Sequence, residues 1–180
     1  MVSAVTSQGR HTPNQARRIS DPRAVAETVT DPELPMLTLA DLGVLRDVSE
    51  VDGTVVVTIT PTYTGCPAMD TMRDDLVHAL RDAGYRDVDV RTVLHPPWSS
   101  DWITDEGKRK LAEAGISPPG ATPRNDGPIP LTLGSPVHAV RCPHCGAANT
   151  EELSRFSATA CKSLRRCRVC AEPFEHVKEI

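Results

Sequence analysis

Residues 44–94 read VLRDVSEVDGTVVVTITPTYTGCPAMDTMRDDLVHALRDAGYRDVDVRTVL, and this stretch decides the fold. At its centre Thr54 to Thr60 alternates, with Val55, Val57 and Ile59 on one face, the period-two pattern of a half-buried strand. Asp52-Gly53 just before it is a two-residue hairpin signal, so the residues from Val44 onward form an antiparallel partner. After the loop Pro61-Thr62-Tyr63-Thr64-Gly65-Cys66-Pro67 the period changes. Met69, Met72, Leu76, Leu80 and Ala83 step by three and four, one face of a helix, and Gly84 is its natural stop. Asp87 to about Leu94 returns to strand. A strand-helix-strand crossover is right-handed, which makes the second and third strands parallel. The expected fold class is therefore α+β, a small three-stranded mixed sheet with helices.

Working outward, Ser20 or Asp21 is a candidate N-cap and Pro22 suits the first helical position, where its missing N–H costs nothing. Asp31-Pro32-Glu33-Leu34-Pro35 ends that helix in an extended segment carrying two carboxylates. On the other side His95-Pro96-Pro97-Trp98 breaks the third strand. A last helix runs from Thr104 to about Ala114, with Asp105 and Glu106 in its first turn and Gly115 as its stop. Residues 117–136 hold six of the chain's 16 prolines and are expected to be a linker. Residues 1–20, polar and without periodicity, are expected to be a disordered tail. This leaves two domains, 21–116 and 137–180.

Composition narrows the function classes. The chain of 180 residues is only 3% aromatic, carries a net charge of −4 and has a sequence pI near 5.8. It has few rings on which bases could stack and no basic field to attract phosphates, so nucleic acid is not an expected partner. Charge divides along the domain boundary. Residues 22–116 contain 9 Lys plus Arg against 17 Asp plus Glu, a net of −8, whereas 137–180 contain 7 against 5, a net of +2. The N-terminus lacks the apolar stretch of a secretory signal, and no run suffices to cross a bilayer, so a cytoplasmic protein without a membrane partner is expected. In a reducing compartment, six cysteines read as metal ligands or redox groups before disulfides.

Four of them form Cys142-Pro-His-Cys145-Gly and Cys167-Arg-Val-Cys170-Ala, 21 residues apart. Two residues between cysteines let a tight turn aim both sulfurs at one point, and a hairpin between the pairs brings the turns together as a zinc ribbon. Four thiolates close a tetrahedron with no position for water, so the site is expected to be structural. Metal binding on the order of 10 kcal/mol would hold together a 44-residue module too small to stand alone. Zinc is the expected metal; a rubredoxin-like iron or a cluster suits the same sulfurs. Cys161 is left over, either a packed thiol of the hairpin or an alternative ligand for this metal. His144 and His176 are expected at the surface.

Cys66 stands where the second strand ends and the helix begins. Its sulfur would face unsatisfied N–H groups and the positive end of the helix, which favours an exposed, nucleophilic or metal-binding thiolate; an N-cap without chemical consequence is the alternative. Parallel strands two and three would bring Cys66 and His95 to the same carboxyl edge of the sheet, where α/β sheets bind ligands. Trp98, Asp101 and Trp102 follow there, the tryptophans as a hydrophobic lid.

Taken in order, Asp31-Pro-Glu33-Leu-Pro, Leu42-Gly-Val-Leu-Arg46, Pro61-Thr-Tyr-Thr-Gly-Cys66-Pro, Trp98-Ser-Ser-Asp101-Trp102-Ile, Ser157-Ala-Thr-Ala-Cys161-Lys162 and the Cys142 to Phe174 ribbon resemble the PaaD family. Its members are accessory subunits encoded with the phenylacetyl-CoA epoxidase, and the N-terminal half is similar to the SufT-type iron-sulfur assembly family. The resemblance covers about residues 22–180. It implies a non-catalytic factor that helps mature iron-sulfur or iron sites of the epoxidase, with its iron-sulfur reductase component as the leading client. By the same resemblance Cys66 would be the cluster or iron ligand, with Asp31 and Glu33 nearby. A lone thiolate holds a cluster weakly, so transfer is expected rather than storage, with a homodimer supplying two such cysteines as one route. In agreement, the chain has no Glu-x-x-His pair for a di-iron oxygenase and no glycine-rich dinucleotide loop.

Overall fold

The computed structural model describes residues 21–121 and 139–180. The expected tail and most of the expected linker lie outside the described residues. The first module opens with α1, Pro22–Ala26, whose N-cap Asp21 accepts a hydrogen bond from the Arg23 amide. Strands β1, Leu45–Val51, and β2, Thr54–Ile59, pair antiparallel through a turn in which Asp52 and Gly53 both take positive φ, 50° and 84°. Such a left-handed pair matches the twist of the strands it joins. Helix α2, Met69–Asp82, returns the chain to β3, Val88–Thr92, which lies parallel to β2 with Val55 opposite Val88 and Ile59 opposite Thr92. The sheet order is β1-β2-β3. Val55, Val57 and Ile59 are fully buried with Leu76 and Leu80 of α2, so the two periodicities meet in one core.

A 3-10 turn, Ser100–Trp102, leads into α3, Asp105–Glu113, where the Thr104 hydroxyl caps the Gly107 amide at 2.9 Å. Asp41 fastens this helix: its carboxylate accepts from Lys110 Nζ at 2.7 Å and from the Thr38 amide at 3.0 Å, and its carbonyl accepts from the Thr104 amide. Gly107 sits where α3 presses on this loop. A Cβ there would stand 2.9 Å from the Asp41 carbonyl oxygen and 3.1 Å from Ile103 Cγ2.

The second module is a sheet of β5, Thr150–Ser154, β6, Lys162–Cys167, and β7, Pro173–Val177, closed by a small core of Val140, Cys142, Cys167 and Phe174. Its fourth strand comes from elsewhere. β4, Ile116–Ser117, directly follows α3 and pairs parallel with β7, Ile116 opposite Glu175 and Ser117 opposite His176, giving the order β4-β7-β6-β5. The stretch read as a linker from residue 117 thus begins inside a sheet. Val177 and Ile116 enter the main hydrophobic core, so the two modules share an interior.

His176 is buried at 3% exposure, not at the surface as its sequence context suggests. Its register opposite Ser117 turns it inward, where Nδ1 lies 3.2 Å from the Ser117 carbonyl and Nε2 3.5 Å from Glu179. Burial raises the Glu179 carboxyl, but His176 and the Gly120 amide, 3.0 Å away, outweigh it and hold the group at about 2. His144, by contrast, is exposed.

Two outcomes follow from this packing. Gly107→Ala should destabilise the chain by about 1–3 kcal/mol in denaturant unfolding, although helix propensity alone favours alanine by roughly 1 kcal/mol. Because the Glu179 pKa is depressed on folding, its contribution is present above the ordinary carboxylate range and lost as pH falls toward 2. Glu179→Gln should therefore flatten the acid limb of the pH-stability curve, measured by thermal melts.

Candidate functional site: two cysteine centres

The four-cysteine centre is built by two similar turns. Cys142 and Cys145 lie ahead of β5, where the Cys142 amide donates to Ala147 O and the Gly146 amide to Cys142 O, both at 2.9 Å. Cys167 ends β6 and Cys170 precedes β7; here the Cys167 amide donates to Glu172 O, while the amides of Val169 and Cys170 point at the Cys167 sulfur from 3.4 and 3.5 Å. The residue after each pair is left-handed, Gly146 at φ 74° and Ala171 at φ 65°. Glycine adopts this conformation freely and alanine does not.

All four sulfurs lie within 4.8 Å of one another, with Cys142 and Cys170 at 3.7 Å and Cys145 and Cys167 at 3.6 Å. A tetrahedron with metal–sulfur bonds of about 2.3 Å has edges of about 3.8 Å, so these spacings fit one ion bound by four thiolates. They are far longer than a disulfide bond. The Cys170 and Val169 amides hold the Cys167 thiol at about 6 against the opposing effect of burial. A backbone amide also lowers Cys170, but burial and the neighbouring sulfurs prevail and push it up to about 12. Four thiolates cannot share this space without a cation to offset them.

Cys161 is not one of the four clustered sulfurs. It lines a second, small cavity together with Asp31, Glu33 and Cys66, walled by Leu34, Trp98, Ile103 and Val177. The residues come from three places. The 31–35 segment, expected to be extended, bends instead: Asp31 Oδ1 gathers the amides of Glu33 and Leu34, each at 2.8 Å, and the carboxylate is buried at 5% exposure. Cys66 comes from the loop after β2, where its amide donates to Tyr63 O. Cys161 comes from the turn leading into β6 of the ribbon. Trp98 closes the cavity, its indole N–H donating to Leu42 O at 2.9 Å, in keeping with a lid. Trp102 instead stacks under Arg46, whose guanidinium lies 3.6 Å from the ring centre. His95 and Asp101 are exposed and do not line the cavity.

The expectation of an exposed Cys66 thiolate at the helix start does not hold. Cys66 is only 9% exposed and stands three residues before α2, whose N-cap is Ala68. Burial pushes its thiol up; the Ala68 amide opposes this, but Glu33, Asp31 and Cys161 add to the rise. Burial likewise raises Asp31, Glu33 and Cys161. The cavity gathers four acidic groups that resist ionising together, with Lys162 as the nearby cation acting on three of them.

Two family models match the chain. One, described as an iron-sulfur cluster assembly protein, covers residues 23–92, and the other, described as the PaaD zinc beta ribbon domain, covers residues 127–178. A protein of Escherichia coli (strain K12) named as a putative 1,2-phenylacetyl-CoA epoxidase subunit is 38% identical over 160 residues, 86% of this chain and 89% of that protein. The Fe-S protein maturation auxiliary factor YitW of Bacillus subtilis (strain 168) is 38% identical over 87 residues, 47% of this chain and 84% of its own. A crystal structure of a domain of unknown function, DUF59, from Bacillus anthracis has a TM-score of 0.46 at 30% identity, covering 50% of this chain and 87% of that one. No helix among the described residues is long and apolar enough to cross a membrane.

A raised thiol pKa means that Cys66 is protonated near neutrality. In the metal-loaded chain, mass-spectrometric mapping should find it alkylated by iodoacetamide more slowly than a free cysteine, with a rate still climbing beyond about pH 9, where a free cysteine levels off. Fast labelling independent of pH would mean a thiolate. Ala171→Gly should relieve the left-handed alanine and stabilise the metal-loaded chain by roughly 0.5–1 kcal/mol, read as a higher denaturation midpoint.

Proposed function

This chain belongs to the PaaD family, and on that premise we propose that it is a non-catalytic accessory factor of a multicomponent 1,2-phenylacetyl-CoA epoxidase, helping to assemble the iron-sulfur or iron centres of its client subunits. The observation that carries this reading is the convergence of Cys66, Asp31 and Glu33 on one cavity. A soft sulfur beside hard carboxylate oxygens suits iron, which accepts both ligand types. The iron, or the cluster built from it, is cargo. A buried thiol that is neutral when empty is a ligand to be engaged and released, as a transfer site requires.

The four-cysteine ribbon has a different part. Its closed shell leaves no open coordination position, so the metal there, which we read as zinc, shapes the module and sustains the surface that meets the client. We take the iron-sulfur reductase component as that client, because its function depends on a cluster. Iron would fit the same four sulfurs and would make the ribbon an electron carrier. Colour separates the two, since ferric tetrathiolate absorbs visible light and bleaches on reduction whereas zinc does neither.

The reading is tested by co-producing the epoxidase subunits with this chain or with its Cys66→Ala variant and measuring iron and acid-labile sulfide in the purified reductase component. The variant should leave that component markedly deficient in both while the ribbon keeps its metal. A reductase with its normal iron content would sink the role of Cys66.

A further inference from the structure

The remaining cysteine extends this reading. Cys161 has no part in the ribbon's tetrahedron, yet it is held firmly: Thr159 Oγ1 lies 3.1 Å from its sulfur, and its carbonyl accepts from the Lys178 amide. The next residue, Lys162, is 5% exposed and clamped to Glu175 at 2.7 Å, and Ser157 bonds the same carboxylate. This turn directs Cys161 away from the ribbon's own metal and into the cavity that holds Cys66. Asp31 lines the same cavity, with its Oδ1 committed to the amides of Glu33 and Leu34.

We propose that Cys161 is the second thiolate of the Cys66 site, so that the α/β module and the ribbon together form a mixed sulfur–carboxylate site for a single divalent iron ion. The proposal rests on the assembly reading above and names its cargo. Empty, the cavity is about 20 Å3, which matches one water-sized body and so a single ion. Binding forms two metal–sulfur bonds and releases both thiol protons to solvent, so that two thiolates neutralise the 2+ charge. Asp31 and Glu33 offer further oxygen donors. Among the described residues it is the ribbon's four sulfurs that lie within 4.8 Å of one another, so binding an ion in the cavity requires its donors to draw together. A second thiol within one chain also removes the need for a homodimer to supply it.

Cobalt(II), a spectroscopic stand-in for iron(II), tests this on the full chain under anaerobic conditions with one zinc already in the ribbon. The parent chain should take one further cobalt with a near-ultraviolet thiolate-to-metal band, while bound zinc stays at one per molecule. Cys161→Ser and Cys161→Ala should each lose about half of that band. They should also weaken binding at least tenfold, since loss of a mere supporting contact to a ligand already costs about 10–100-fold. Retained zinc in these variants shows that the fold is intact. Unchanged cobalt binding in both, with loss of the band in Cys66→Ser, overturns the role of Cys161 and leaves the Cys66 reading standing. A parent chain that binds no second metal overturns the proposed site outright. The reductase iron content in the Cys66→Ala experiment judges the assembly role separately.

Discussion

The parallel pairing of Ile116–Ser117 with Glu175–His176 is the contact on which the rest depends. Two residues of strand are a weak bond by themselves, but this pairing is backed on both sides. Ile116 and Val177 drop into the main core, and burying an aliphatic side chain contributes roughly 1.5–3 kcal/mol. His176 then ties to the Ser117 carbonyl, and Glu179 to the Gly120 amide. Without this seam the ribbon would meet the first module chiefly through the hydrogen bonds of Ile180 with Ser100, and Cys161 would sit in a looser relation to Cys66. The seam turns two modules that read as separate in the sequence into one body with a cavity between them.

The two cysteine centres solve opposite problems. In the ribbon, four sulfurs are held near tetrahedral spacing by backbone amides and turn geometry, so an ion bound there would be enclosed. In the cavity between the modules, sulfur and oxygen groups arrive from three separate segments, and burial first, then one another's charge, raises their pKa. The first arrangement is suited to enclosing one metal ion. The second is the less ordered set of donors for which transfer is proposed above.

Much of this could be read in advance, and the reasons differ by element. The hairpin was legible because Asp52-Gly53 announces its turn and Val55, Val57 and Ile59 alternate, and α2 because Met72, Leu76 and Leu80 keep helical spacing across a full core contact. The ribbon ligands were legible because Cys-x-x-Cys is itself a piece of geometry. β4 escaped notice since two residues have no period, and prolines follow them closely. His176 misled because a polar residue in a short strand gives no sign of which face is covered until the partner strand is known. Cys66 lies near the helix start as its sequence position indicates, with the Ala68 amide beside it, but sequence does not reveal the burial, the carboxylates and the second thiol that other segments bring to it.

Strand β6 runs from Lys162 to Cys167, so one end adjoins the cavity thiol Cys161 and the other is a ligand of the ribbon's tetrahedron. At about 3.3 Å per residue, six residues place the two backbone positions about 20 Å apart on one stiff rod. The two centres are therefore mechanically in series. Loss of a metal from the ribbon would slacken one end of the rod and displace the thiol at the other, so the order of the cavity would depend on the order of the ribbon, through the length of a single strand.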